Sequence, residues 1–312
     1  MRIGLVVDSM CDLPSDFIRD NNVVVLPITV TLGSAQFVDI RDGEATQDFY
    51  RQHLANAGDA ETAPLPVEDI KRLFLERLVI EYDYVFCLCL ASSRSPVFEH
   101  AQQASLAILN EYKPYRARAG LNSPFAVRVV DTQSLFVAQG VLAYEVVRMI
   151  KAGDGPLKIR DRIDGLIPQT YGYMLPKSLY HIRARASKKG DKSVGWFKYA
   201  IAGALDIKPL IRSYRNDTGP VANLRHHDDG TQRLFEFGIR RIQQGLLTGA
   251  IGIDYAGELS DLPNLPGYAE FREAADKAGI EVFESFVSIT GAINVGEGSI
   301  GMAFCAADHD FE

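Results

Sequence analysis

Cysteine is scarce in this chain. Four residues among 312, Cys11, Cys87, Cys89 and Cys305, are too few and too scattered for a disulfide framework, and a reducing cytoplasm is the expected location. Positive charge is also in deficit: 33 Lys and Arg against 40 Asp and Glu leave a net charge of −7, so nucleic acid is not an expected partner. Long hydrophobic runs are missing, because nowhere do about 18 apolar residues follow one another. Asp8 interrupts the N-terminal run before a signal core forms, so neither a secretion signal nor a membrane span is expected. The catalytic signatures Gly-x-Ser-x-Gly, His-Glu-x-x-His and Gly-x-x-x-x-Gly-Lys do not occur. With hydroxyls in plenty and no obvious base, the chain is expected to hold a polar group and not to attack one, so no enzymatic activity is expected.

What is present is ordinary for a folded protein. At 47% hydrophobic and 23% charged residues, the composition argues against disorder, and the length suggests two domains of about 150 residues. Ile3–Val7, Tyr84–Leu90 and Ala126–Val130 are short apolar runs of the kind buried on both faces of a parallel sheet. Val23–Leu26 and Ile28–Leu32 add two more, divided by Pro27. Between the runs lie helical stretches at 14–19, 46–54, 67–80, 97–109 and 137–150. Gly153-Asp154-Gly155-Pro156 reads as a linker. Beyond it, helical runs at 177–186 and 233–247 mix with strands at 207–212, 221–224, 250–255, 282–287 and 300–305 without regular alternation. The expected fold class is α/β: a mainly parallel N-terminal α/β domain over 1–153 and a smaller α+β domain over 154–312.

Several short patterns carry candidate chemistry. Asp8-Ser9, Ser92-Ser93 and Asp131-Thr132 with Ser134 each close a strand and lead into a helix, where an open α/β sheet forms its ligand crevice. Each is also an ordinary helix cap. Gly296-Glu297-Gly298-Ser299-Ile300-Gly301 matches a dinucleotide fingerprint by letter, yet too little chain follows for the acid that binds the ribose. A glycine-rich turn is expected there. His226-His227-Asp228-Asp229 reads as a solvated turn ahead of Gly230, and Cys87 with Cys89 as buried packing without the second pair a zinc site needs. The basic residues Arg183, Arg185, Lys188, Lys189 and Lys192 read as a helix end and loop that could also meet an anion.

Taken in order, these pieces resemble the DegV family of bacterial fatty-acid-binding proteins. The resemblance rests on Asp8-Ser9 with Asp12-Leu13-Pro14, Pro27-Ile28-Thr29 followed by Asp39, Thr62, Ser92-Ser93-Arg94-Ser95 with Phe98-Glu99, Asp131-Thr132-x-Ser134 with Gly140, Ile207-Lys208-Pro209-Leu210-Ile211, and the three glycines at 296, 298 and 301. It implies a two-domain monomeric carrier with a long-chain fatty acid enclosed between its halves. A separate fatty acid kinase would phosphorylate the presented carboxylate, contact with a membrane would be peripheral, and no cofactor beyond the bound lipid is implied. Thr62, Ser92, Ser93 and Ser95 are the implied ligand contacts, joined by Thr29, Arg185 and Asn294. The sequence departs from the pattern where Asn294 replaces a histidine, Glu297 a proline, and His181-Ile182-Arg183-Ala184-Arg185 a Gly-Gly-Arg-Ile stretch. Two other readings stay open: a binding module for a different anionic small molecule, and a metal-dependent transferase built on Asp8, Asp12 and Asp131.

Overall fold

The computed structural model describes residues 1–189 and 208–312, with backbone alone for 186–189. Lys192, Ile207 and the side chains of Lys188 and Lys189 lie outside the described residues. Three sheets organise the chain. The first is parallel and four-stranded, in the order β2-β1-β6-β7, from β1 (Ile3–Asp8), β2 (Val24–Leu26), β6 (Tyr84–Cys89) and β7 (Ala126–Asp131). The apolar runs of β1 and β6 are buried on both faces as the sequence predicts, whereas β7 is an edge strand in which only Val130 is buried. Leu5, Val7, Phe86 and Leu88 face one core, and Val6, Val85, Cys87 and Cys89 face the other, so side-chain alternation fills both sides.

The second sheet, in the order β10-β9-β8-β13-β11-β12, collects β8 (Thr170–Leu175), β9 (Lys208–Tyr214), β10 (Asp217–Leu224), β11 (Ala250–Tyr255), β12 (Glu281–Phe286) and β13 (Ile300–Cys305). Only β11 and β12 pair in parallel within it; the other neighbours are antiparallel. The third is a small antiparallel sheet, β4-β3-β5, from β3 (Ile28–Leu32), β4 (Ala35–Asp39) and β5 (Glu61–Pro64). β4, β5 and β8 go beyond the strands expected from sequence. β4 and β5 carry polar residues and are strands because the buried Val30 between them recruits Phe37 and Thr62 on the same face.

Helix Val137–Lys151 lies between the first two sheets and is buried along most of its length. Its residues share one core with Leu5 and Phe86 of the parallel sheet and with Ala250, Ala303 and Cys305 of the mixed one. Glycine makes this contact possible: a Cβ on Gly140 would sit 2.4 Å from the Asp12 carbonyl oxygen, and one on Gly252 would sit 2.3 Å from Val137. The expected linker at 153–156 is a tight turn from this helix into helix Pro156–Leu166, whose Ile159, Ile163 and Leu166 enter the same core.

One local expectation is corrected and one unassigned segment is resolved. His226-His227-Asp228-Asp229 is not a turn: helix His227–Gln244 begins directly after His226, and both aspartates lie in its first turn, where acidic charge favours the helix dipole. The segment at 35–39, unassigned from sequence, is the second strand of a hairpin that turns through Gly33 at φ +60°. Gly296 and Gly298, at φ +85° and +73°, form the turn expected of them, leading into a strand and not a helix.

Candidate ligand-binding site

An apolar seam runs between the small sheet and the mixed sheet. Val30 of β3, Phe49, Ile182, Met174 of β8, Ile211 of β9 and Ile293 meet in one buried cluster drawn from distant parts of the chain. Phe136, Met174 and Ile211 continue from it into a small cleft of about 30 Å³. The cleft wall adds Leu135, Tyr173 and three polar residues, Ser213, Thr218 and Asp254. The lining is mainly apolar, and the space is about that of one water molecule.

One polar group borders the seam. The Arg185 guanidinium donates through Nε to Asn294 Oδ1 at 3.0 Å and through Nη1 to the carbonyl of Ala60. Asn294 in turn donates through Nδ2 to the Thr290 carbonyl at 2.7 Å, which fixes its amide so that the oxygen faces Arg185. Burial lowers the basicity of Arg185, and the nearby Glu61 works in the opposite direction. Thr62 lies two residues beyond Ala60, on β5, where it shares the inner face with Val30. Helix Ile289–Val295, which carries Asn294, is held at its start by Ser288, whose hydroxyl accepts from Gly291 N at 2.9 Å. Asp39 accepts there from both the N–H and the hydroxyl of Thr290 at 2.8 Å.

A second polar group lies at the ends of β6 and β7. Ser92 donates its hydroxyl to Asp131 at 2.5 Å and its N–H to the same carboxylate at 3.1 Å. Ser93 donates to the carbonyl of Asn216 at 3.0 Å, at the tip of the β9–β10 hairpin whose Ser213 and Thr218 line the cleft. Ser95 is half-buried just ahead of helix Val97–Ala107. The structure therefore brings Arg185, Asn294 and the strand of Thr62 together, and gathers Ser92 and Ser93 at the cleft rim. Thr29 faces the other side of the small sheet, in register with Val38 and Ala63.

Sequence reasoning missed the buried charges under the cleft. Arg41, almost fully buried, binds Asp12 at 2.9 Å and donates to Ser285 Oγ and the Phe286 carbonyl at 2.8 Å each. Asp12 and Asp39 belong to motifs named above, but Arg41 and Asp254 carry no local signal, since their partners lie far away in the chain. The three strand-end aspartates of the transferase reading have separate surroundings. Asp8 accepts from Met10 N, Leu90 N and Gln139 Nε2 at 2.9, 2.7 and 3.1 Å, and burial pushes its carboxyl up to about 6. Asp12 faces Arg41, and Asp131 faces Ser92. No group of three or more His, Cys, Asp or Glu among the described residues is placed to hold a metal ion. Cys87 and Cys89 are buried and unbridged, their sulfurs 3.8 Å apart. Among the described residues no helix is long and apolar enough to cross a membrane.

A parallel sheet, a mixed sheet and a small sheet that meets the mixed one along an apolar seam define an α/β architecture. Residues 2–307 match the family described as uncharacterised DegV proteins, and the chain belongs to the DegV family. A DegV domain-containing protein of Xanthomonas campestris is 52% identical over 312 residues, covering 100% of this chain and 99% of that protein. The crystal structure of DegV from Bacillus subtilis, described as a fatty acid binding protein, superposes with a TM-score of 0.75 at 19% identity over 98% of this chain and 100% of that one. A stearic acid-binding protein from Eubacterium ventriosum gives 0.77 at 18% identity over 97% and 98%.

Proposed function

We propose that this chain is a non-catalytic carrier that encloses a long-chain fatty acid between the parts formed by residues 1–153 and 154–312. The observation that carries the proposal is the seam itself, apolar along its length and bordered by the polar group at Arg185. The acyl tail runs past Val30, Phe49, Met174 and Ile293. Its carboxylate meets Thr62 and Arg185, with Asn294 holding the guanidinium in place. Each buried CH₂ is worth about 0.8 kcal/mol, so a tail of about sixteen carbons offers roughly 12 kcal/mol before association costs of similar order. Ser92, Ser93 and Ser95 take the rim in this reading, and Thr29 supports the sheet that carries Thr62. The solved relatives described as fatty-acid-binding proteins support it through the shared fold. A separate kinase that phosphorylates the presented carboxylate completes the carrier role.

The test compares native and denaturing mass spectra of the freshly purified chain, with solvent extraction of whatever is released. A fatty-acid mass is the expected result; a protein that carries no lipid and takes none up from a fatty-acid mixture removes the proposal. Arg185→Gln should weaken fatty-acid binding about tenfold, through loss of one charge-assisted contact, and destabilise the chain by about 1–3 kcal/mol, because the buried Ala60 carbonyl loses its donor. The fixed guanidinium also favours a second reading, in which the headgroup is another anion such as a phosphate. A non-lipid mass in the same spectra would select it.

A further inference from the structure

Asp12 and Asp254 each leave one oxygen without a partner in the protein interior. Asp12 Oδ1 lies 2.9 Å from Arg41 Nη1 in an ion pair and receives Ser288 N at 3.0 Å, while its Oδ2 is buried and unpartnered. Asp254 Oδ2 receives Val137 N at 3.1 Å, while its Oδ1 is buried against Gly301 with no donor in good hydrogen-bond geometry. The two residues meet at the start of helix Val137–Lys151, where Asp12 N donates to the Phe136 carbonyl at 3.3 Å and the next N–H, that of Val137, donates to Asp254, and each carboxyl acts on the other. Two ionised carboxylates placed in this way repel, whereas one proton between them gives both orphaned oxygens a partner.

The surrounding charges leave room for that proton. Arg41 is the cation that acts on the pair, and it acts on Asp39 of β4 as well. Tyr50 of helix Gly43–Gln52 faces the same group, and burial keeps its phenol neutral. Cys11, between Asp8 and Asp12, is kept as a thiol by burial, and Asp8 beyond it adds negative charge. Ser288 and Gly301 face the pair through backbone N–H groups. Burial raises both carboxyls above their usual range, Asp254 to about 6.

The pair joins two sheets: Asp12 follows β1, and Asp254 stands on β11 and lines the cleft beside Phe136 and Met174. We propose that Asp12 and Asp254 share a single proton across this junction and form a pH-sensitive latch that holds the cleft closed. Loss of the proton places two anions side by side in a buried site, and separation of the strands relieves them. The latch is independent of what the cleft binds. A carboxyl raised by folding stabilises the fold at low pH and gives up that stability as pH rises, so the latch loosens with increasing pH.

The test compares the full chain with Asp12→Asn from pH 5 to pH 8. The amide keeps an oxygen for Arg41 and Ser288 N and offers a permanent donor to Asp254 Oδ1. Between these pH values the wild-type melting temperature should fall by about 5 °C more than that of the variant, and equal slopes would overturn the proposal. Asp8 titrates in both chains, so the difference isolates the pair. Hydrogen exchange over 134–138, corrected for intrinsic rate, should speed up at pH 8 in the wild type alone; equal protection refutes the latch. Should the Asp12→Asn chain fail to fold, carboxyl ¹³C titration of the wild type decides. One carboxyl that stays protonated above pH 6 supports the shared proton, and complete ionisation of both by pH 5 excludes it.

Discussion

Asp8 and Asp131 hold the same place in the same sheet, each the last residue of a parallel strand, yet they live in different chemistry. Asp8 ends β1 beneath helix Val137–Lys151, fully buried, with three donors and a carboxyl pushed up to about 6. Asp131 ends β7 at the half-exposed rim, where it accepts from Ser92, Gln133 N and Asn216. Topology supplies a carboxylate at each strand end, and the covering layer decides what it does. Under cover an aspartate becomes a proton-sensitive part of the junction. At the rim it orders hydroxyls beside the cleft mouth.

The largest test of this contrast removes the cation that the covered aspartates share. Arg41→Met should destabilise the protein by about 3–5 kcal/mol in urea unfolding, since Asp12 and Asp39 keep their burial and lose their counter-charge. A loss near 1 kcal/mol would show that water reaches the junction. Next in size is Asp8. Its folded pKa lies above its ordinary value, so its contribution to stability is complete below about pH 4 and is lost by about pH 7, an effect of about 3 kcal/mol. Asp8→Asn should flatten that part of the stability profile when urea unfolding is followed from pH 4 to pH 7; an unchanged slope would place the titration elsewhere. Smallest is Asp131→Asn, with an expected change below about 1 kcal/mol because the partners are solvated. A loss as large as that of Arg41→Met would erase the distinction between rim and interior.

The same contrast separates what is legible in the sequence from what is not. β1 and β6 can be read because each is a continuous apolar run stopped by a polar cluster, and β7 because its valines flank a single Arg128 ahead of Asp131, so local residues suffice. β5 cannot, since Glu61–Pro64 has no pattern of its own and becomes a strand only against β3. Of the site, Thr62, Arg185 and Asn294 enter through family resemblance. Their connection through the Ala60 carbonyl and the Asn294 amide is a fact of packing. Arg41 is invisible in sequence for a further reason: Ser285, which accepts from its guanidinium, lies 244 positions away.

Helix Val137–Lys151, shared between two sheets, has a consequence during synthesis. A nascent chain holds all four strands of the parallel sheet by Asp131 and the whole helix by Lys151, but β11 and β13, which cover the helix's other face, are made only with residues 250–305. For the intervening hundred or so residues of translation, a folded first half carries a bare apolar stripe, the kind of surface that chaperones bind and that drives aggregation.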